Sequence, residues 1–375
     1  MLELYIHIPF CVRKCNYCDF LSFPEKDSVI EAYCRALVEE IKWTGEKTEG
    51  ESVRSIFIGG GTPSLLNIRE VTDVFSAIKS NFSLENNVEI TIESNPGTLN
   101  EDKLDCYHEL GINRLSIGLQ STDDECLRCL GRIHSFQEFE NNYEQARKAG
   151  FNNINIDLMS GLPGQSLEKY EDTLKKVTDL NPEHISSYSL IIEEGTPFYE
   201  SEEILRRLPD EETERKMYER TKAILAEKGY ERYEISNYAK VGRECVHNLG
   251  YWDQVPYLGL GLGASSYYKN ARFSNERDLK EYIREPVRPF EKREEYALIS
   301  QREQMEDTMI FGLRKSRGIS ICRFEKDFGI SVQEVYGEII DRCSSLGLMI
   351  VEGDALRLTD AGIDVSNRIF EEFLL

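Results

Sequence analysis

Leu4-Tyr5-Ile6-His7-Ile8-Pro9-Phe10-Cys11-Val12-Arg13-Lys14-Cys15-Asn16-Tyr17-Cys18 is the stretch on which the reading of this sequence turns. Its first five residues form an apolar run of strand type, and Pro9 closes it. Three thiols then follow in a CxxxCxxC spacing, with an aromatic side chain directly before the last. Three thiolates on one short loop leave a position of a metal centre unfilled, and a four-iron cluster held in this way keeps one iron open to a chelating ligand. Structural zinc asks for a fourth ligand, which His7 would have to supply as part of a Cys3His set. Incidental buried thiols are the remaining alternative, but Arg13, Lys14 and Asn16 make the loop too polar for a core segment.

Outward from this loop, strand-like runs alternate with longer amphipathic stretches: Ser55 to Ile58, Glu89 to Ile92, Arg114 to Ile117, Asn155 to Leu158 and Ile185 to Leu190, with helical periodicity over Val29 to Lys42 and Ile68 to Lys79. Six strand and helix repeats predict the α/β class, with a parallel sheet curled into a partial (β/α)6 TIM-like barrel. Each distinctive motif is expected at the C-terminal end of a strand, the rim where such folds bind ligands. The barrel core is assigned to residues 1–200. Residues 201–294 form an extension with a charged helix from Asp210 to Lys228, a strand from Tyr230 to Tyr238 and the glycine-rich Gly259 to Gly263. Residues 295–375 read as a small winged-helix-like domain whose closing strands, Gly347 to Val351 and Ala355 to Leu358, meet at Glu352-Gly353-Asp354.

The chain has 375 residues and a formal charge of -22, which repels nucleic-acid backbones and anionic lipid surfaces. The wing-like segment is acidic as well, so it is expected to pack against protein and not DNA. No apolar run approaches the roughly 20 residues of a membrane span, and no leader precedes the first strand, so the expected compartment is the cytoplasm. Ten cysteines are too few for a disulfide scaffold in a chain of this length.

The CxxxCxxC loop resembles the signature of the radical SAM superfamily, and Tyr5-Ile6-His7-Ile8-Pro9-Phe10-Cys11 resembles its oxygen-independent coproporphyrinogen oxidase branch. The resemblance covers nearly the whole chain and implies a radical-SAM barrel with a [4Fe-4S] cluster on Cys11, Cys15 and Cys18. It also implies S-adenosylmethionine (SAM) contacts at Tyr5, at Gly60, Gly61 and Thr62 after the second strand, and at Glu93, Gln120, Arg132 and Asp157. The residue types suit those roles. Glycines let backbone approach a ligand closely, carboxylates suit ribose hydroxyls or a cationic centre, and a guanidinium fork suits a carboxylate.

Within that branch lie oxidases that decarboxylate coproporphyrinogen III and relatives of HemW type that act as heme chaperones. The oxidases resemble CxxxCxxCxC, whereas here Phe20 stands where the further cysteine would be, and the first residue lies only ten positions before Cys11. His247-Asn248-Leu249-Gly250-Tyr251-Trp252 matches the HNxxYW pattern associated with the chaperones, which implies heme contact by His247, Tyr251 and Trp252. Imidazole is a common axial ligand of heme iron. The expectation is a heme chaperone that serves heme acceptor proteins and draws on an electron donor such as flavodoxin or ferredoxin. A coproporphyrinogen oxidase and a radical tailoring enzyme such as a methylase are the rivals. Cys126 and Cys129 form a CxxC expected on a helix, without a ligand role.

Overall fold

Strand and helix alternate because apolar side chains recur with the matching periods. In the first strand Leu2, Leu4, Ile6 and Ile8 join the main core, while Glu3, Tyr5 and His7 face the opposite side, as the two-residue period of a strand dictates. The structure, a computed structural model, describes residues 1–48 and 50–374. In chain order the elements are β1 (Leu2–Ile8), α1 (Asp27–Lys47), β2 (Ser52–Gly60), α2 (Ile68–Asn81), β3 (Ser83–Ser94), α3 (Glu101–Glu109), β4 (Arg114–Gln120), α4 (Asp124–Cys129), α5 (Phe136–Lys148), β5 (Ile154–Ser160), α6 (Leu167–Asp179) and β6 (His184–Ser189). There follow α7 (Glu202–Leu205), α8 (Glu211–Glu227), β7 (Glu231–Arg232), β8 (Asn237–Ala239), α9 (Val246–Trp252), β9 (Tyr257–Leu260), β10 (Ser265–Tyr268), β11 (Ala271–Ser274), α10 (Leu279–Arg284) and β12 (Glu294–Leu298). The chain closes with α11 (Gln301–Gly312), β13 (Ile319–Ser320), α12 (Ile321–Phe328), α13 (Val332–Ser345), β14 (Met349–Glu352), β15 (Ala355–Leu358), α14 (Asp360–Asp364) and α15 (Ser366–Glu372).

The six predicted strands pair in parallel and in sequence order, and β9 adds a seventh parallel strand on the free side of β1. The sheet is not closed on itself; its edges are β12 and β7. A parallel sheet covered by helices needs apolar residues facing outward, and Ile56, Ile58, Ile90, Ile92, Leu115 and Ile117 supply them. Helix starts are marked by side-chain caps, such as the capping boxes at Asn67 with Glu70 and at Ser135 with Glu138.

One expectation fails locally. Tyr230 to Tyr238 is not a single strand but the hairpin of β7 and β8, with Glu231 opposite Ala239 and Arg232 opposite Tyr238. The turn exists because Glu234 is buried and accepts the Ser236 N–H, folding the chain back. In the last 75 residues β13, β14 and β15 form a separate three-stranded sheet, with Leu313, Phe324, Tyr336, Leu356 and Phe370 in a core of their own. That unit is tied to the barrel edge by Arg232 to Asp360 at 2.7 Å and by the Ser316 N–H to the Tyr233 carbonyl at 2.9 Å. Among the described residues no helix is long and apolar enough to cross a membrane.

Candidate cofactor and ligand site

The loop after β1 carries Cys11, Cys15 and Cys18 to the C-terminal rim of the sheet. Backbone bonds hold it there: Cys11 N–H to the Phe23 carbonyl, Asn16 N–H to the Leu130 carbonyl, and Phe198 N–H to the Asn16 carbonyl. The three thiols share a cavity of about 340 Å3 with Gly60, Gly61, Glu93, Gln120, Arg132 and Asp157. Sequence-distant residues therefore converge as expected: Gly60, Glu93 and Gln120 from the ends of β2, β3 and β4, Asp157 from the middle of β5, and Arg132 from the loop after α4.

The geometry of the rim suits a small zwitterionic ligand. Arg132 donates through Nη2 to Asn95 Oδ1 at 2.6 Å and to the Gly118 carbonyl, and Nη1 lies 3.7 Å from Cys15 Sγ. Its Nε is buried and has no protein partner, so a hydrogen-bond donor stands ready for an anionic group. Burial, with Asp157 nearby, pushes the Glu93 carboxyl up to about 8, and burial raises Asp157 as well despite bonds from Ser116 at 3.0 Å and Asn155 at 2.8 Å. Two carboxyls that resist ionisation side by side favour a cationic partner. Gln120 closes β4 with φ of 71°, a strained backbone for a residue with a side chain.

Two expected contacts stand apart from that cavity. Tyr5 lies deeper, its hydroxyl 2.9 Å from His7 Nδ1. Thr62 sits beside the cysteine loop, donating to Cys11 Sγ at 3.5 Å. The amides of Gly60, Gly61 and Thr62 are already engaged by Glu93 Oε2, the Ile8 carbonyl and the Phe10 carbonyl. The glycines are needed for a different reason than expected: a Cβ on Gly60 would strike the His7 ring, and one on Gly61 the Phe10 backbone. His7 cannot complete a zinc site, because its ring nitrogens meet Tyr5 and the Leu21 carbonyl at 2.9 Å each. Among the described residues no three His, Cys, Asp or Glu side chains converge as the ligands of a single ion must. Three thiols from one loop, sharing a cavity, are a donor set that fits a [4Fe-4S] cluster. Asn95, which joins Arg132 to the Thr62 hydroxyl at 2.8 Å, was not singled out from sequence; its signal is its place just past β3, in Asn95-Pro96-Gly97. Cys126 and Cys129 lie on α4, as expected.

The HNxxYW segment lies at the other end of the barrel, against the expectation that every motif sits at the rim. It forms α9, which plugs the floor against the N-terminal halves of β1, β2 and β3. His247 is 1% exposed; its Nδ1 meets Ser55 Oγ at 2.9 Å, its Nε2 meets the Tyr251 hydroxyl at 3.0 Å, and its ring stacks on Phe57. Its backbone N–H donates to Glu89 at 3.1 Å, and Gly250 is required because a Cβ would collide with the Glu3 carboxyl. Burial, reinforced by Arg114 and Arg54, pushes the imidazole down to about 3. The expected axial imidazole is therefore sealed in, with both nitrogens engaged. Tyr251, whose hydroxyl meets His247, and Trp252 line a cavity of about 260 Å3 with Tyr257, Tyr267, Arg272 and Phe311.

Comparisons with known proteins agree with this geometry. Residues 5–177 match the radical SAM superfamily and residues 299–365 match the HemN C-terminal domain. The heme chaperone HemW of Lactococcus lactis subsp. lactis is 37% identical, over 99% of this chain and 97% of the relative; that of Bacillus subtilis is also 37% identical, over 100% and 99%. The solved structure of the Escherichia coli coproporphyrinogen III oxidase HemN, described as a radical SAM enzyme, superposes with a TM-score of 0.85 at 25% identity, covering 100% of this chain and 90% of that one.

Proposed function

The chain belongs to the radical SAM superfamily and, within it, to the family of the HemW heme chaperones, and from that premise we propose that it is a cytoplasmic carrier that binds heme and delivers it to acceptor proteins. The observation that carries this reading is the end-to-end similarity to HemW relatives, which spans the cysteine loop, the barrel and the HNxxYW segment. Phe20, in place of the oxidases' additional cysteine, supports it against the oxidase.

In this reading Cys11, Cys15 and Cys18 hold a [4Fe-4S] cluster, and SAM occupies the rim cavity. When bound, the cluster supplies an open iron for the amino acid end of SAM and an electron from a donor protein of the flavodoxin or ferredoxin kind. The chain's own residues do the positioning. Arg132, aimed by Asn95 and the Gly118 carbonyl, presents its free Nε to the carboxylate; Glu93 and Asp157 take the cationic and hydroxyl-bearing parts; Gln120 covers the rim. Tyr5 and Thr62 support this set from behind. Heme engages α9 at Tyr251 and Trp252, and His247 anchors that helix.

The test uses one anaerobically reconstituted preparation, assayed in parallel for heme binding and porphyrinogen turnover. A saturable Soret change with no decarboxylated product is expected. Protoporphyrinogen formed with SAM consumption would instead make the protein an oxidase, and transfer of a labelled methyl group would make it a tailoring enzyme.

A further inference from the structure

Two hollows meet at Trp252, on the outward side of α9. The first, of about 260 Å3, is walled by the rings of Tyr251, Trp252, Tyr257, Tyr267 and Phe311. The second, of about 590 Å3, opens between α9, α11, α12 and the turn joining β14 to β15, and carries Lys315, Arg317 and Arg323 on its walls. Trp252 and Gln254 belong to both. Trp252 Nε1 is buried there with no acceptor, an open hydrogen-bond donor at the seam.

The second hollow contains carboxylates as well, but each is engaged. Asp253 pairs with Lys315 and Arg317, Asp327 with Arg323, and Glu352 with Arg357, while Asp354 accepts from the Ser320 hydroxyl and the Cys322 N–H. The arginines are less committed: Arg317 reaches its partner through Nη2 and Arg323 through Nε, and both side chains line the hollow with further N–H donors on each fork. An incoming ligand thus meets an aromatic wall on one side of Trp252 and solvent-exposed guanidinium groups on the other.

Such a pair of surfaces matches a flat ring system that is apolar along one edge and bears carboxylates along the other. Resting on the heme reading above, the geometry points to a specific seat for the cargo: the macrocycle lies across Trp252, its apolar edge in the aromatic hollow and its propionates on Arg317 and Arg323. His247 has no part in holding the iron. It fixes α9 from inside the barrel, and so fixes where Trp252 stands. A cargo gripped by its edges and not through an imidazole–iron bond is one that a carrier can give up.

The experiment titrates ferric heme, and separately its propionate dimethyl ester, into the full-length reconstituted protein, following the Soret band. The double variant Arg317→Ser/Arg323→Ser, both sites exposed at the cleft edge, should bind free-acid heme about tenfold more weakly while matching the wild type for the diester. Tyr267→Ala should weaken both ligands. Equal affinity of the arginine variant and the wild type for free-acid heme would overturn the seat, as would an equal loss of both ligands in that variant. A wild-type protein with no saturable heme binding would overturn the heme reading itself, and this inference with it.

Discussion

At the C-terminal rim of the barrel, Arg132 keeps a buried Nε without a partner and Glu93 and Asp157 crowd each other; at the N-terminal floor, His247 has both ring nitrogens and its backbone N–H engaged. On β3 the two ends draw on inward-facing residues of one strand, Glu89 at the floor and Glu93 at the rim, four residues apart. The difference is in what completes them. The floor is closed by α9 from within the chain, with Glu3 beneath it buried and ion-paired to Arg54 at 3.3 Å, whereas the rim's unpartnered Arg132 Nε belongs to a side chain that lines the cysteine cavity. Buried groups without a hydrogen bond cost stability at either end, and they include both Glu3 carboxyl oxygens at the floor; at the rim such a side chain borders a cavity that a ligand can fill.

Substitutions at the two ends should therefore fail in different ways. The largest effect is expected from Cys11→Ser, Cys15→Ser or Cys18→Ser: each should abolish bound iron and inorganic sulfide after anaerobic reconstitution, while the unfolding midpoint of the metal-free chain stays put. Cluster retained in any one of them would break the assignment. At the floor, His247→Phe strands the Ser55 and Tyr251 hydroxyls in a buried site and should cost about 1–3 kcal/mol in denaturant unfolding, with SAM affinity unchanged. Arg132→Leu should weaken SAM binding by about tenfold or more in calorimetric titration, a loss that His247→Phe does not share.

The smallest effect sharpens the comparison through pH. With Glu93 raised to about 8, the ligand-free carboxyl holds its proton at neutral pH, and a cationic ligand must displace it. SAM affinity should therefore rise with pH, by at most about tenfold per unit, and level off above 8. Glu93→Gln should flatten the profile; an unchanged slope in that variant would assign the proton elsewhere.

How legible these two ends were in the sequence follows from how local their causes are. The cysteine loop, the strand ends and the positions of Glu93, Gln120 and Asp157 are set by short-range spacing, and the structure brings them to one cavity. Asn95 escaped notice because its role depends on Arg132 and Thr62, which reach it only in the folded barrel. His247 was read as an available imidazole, since nothing near it in the chain reveals that Ser55 and Phe57 close over its ring. The strand foreseen from Tyr230 to Tyr238 became a hairpin for a similar reason: each half finds its partner in the other.

The pairing of β1 with β9, Glu3 beside Tyr257, carries a consequence for synthesis. The cysteine loop precedes β9 by roughly 240 residues, so the strand it hangs from gains its second neighbour, and the helix beneath it, only after those have been made. Contacts of such sequence separation form late. Metal delivered to the thiols before that moment would meet a loop on a half-supported strand, so maturation of the centre belongs after α9 and β9 have joined the sheet.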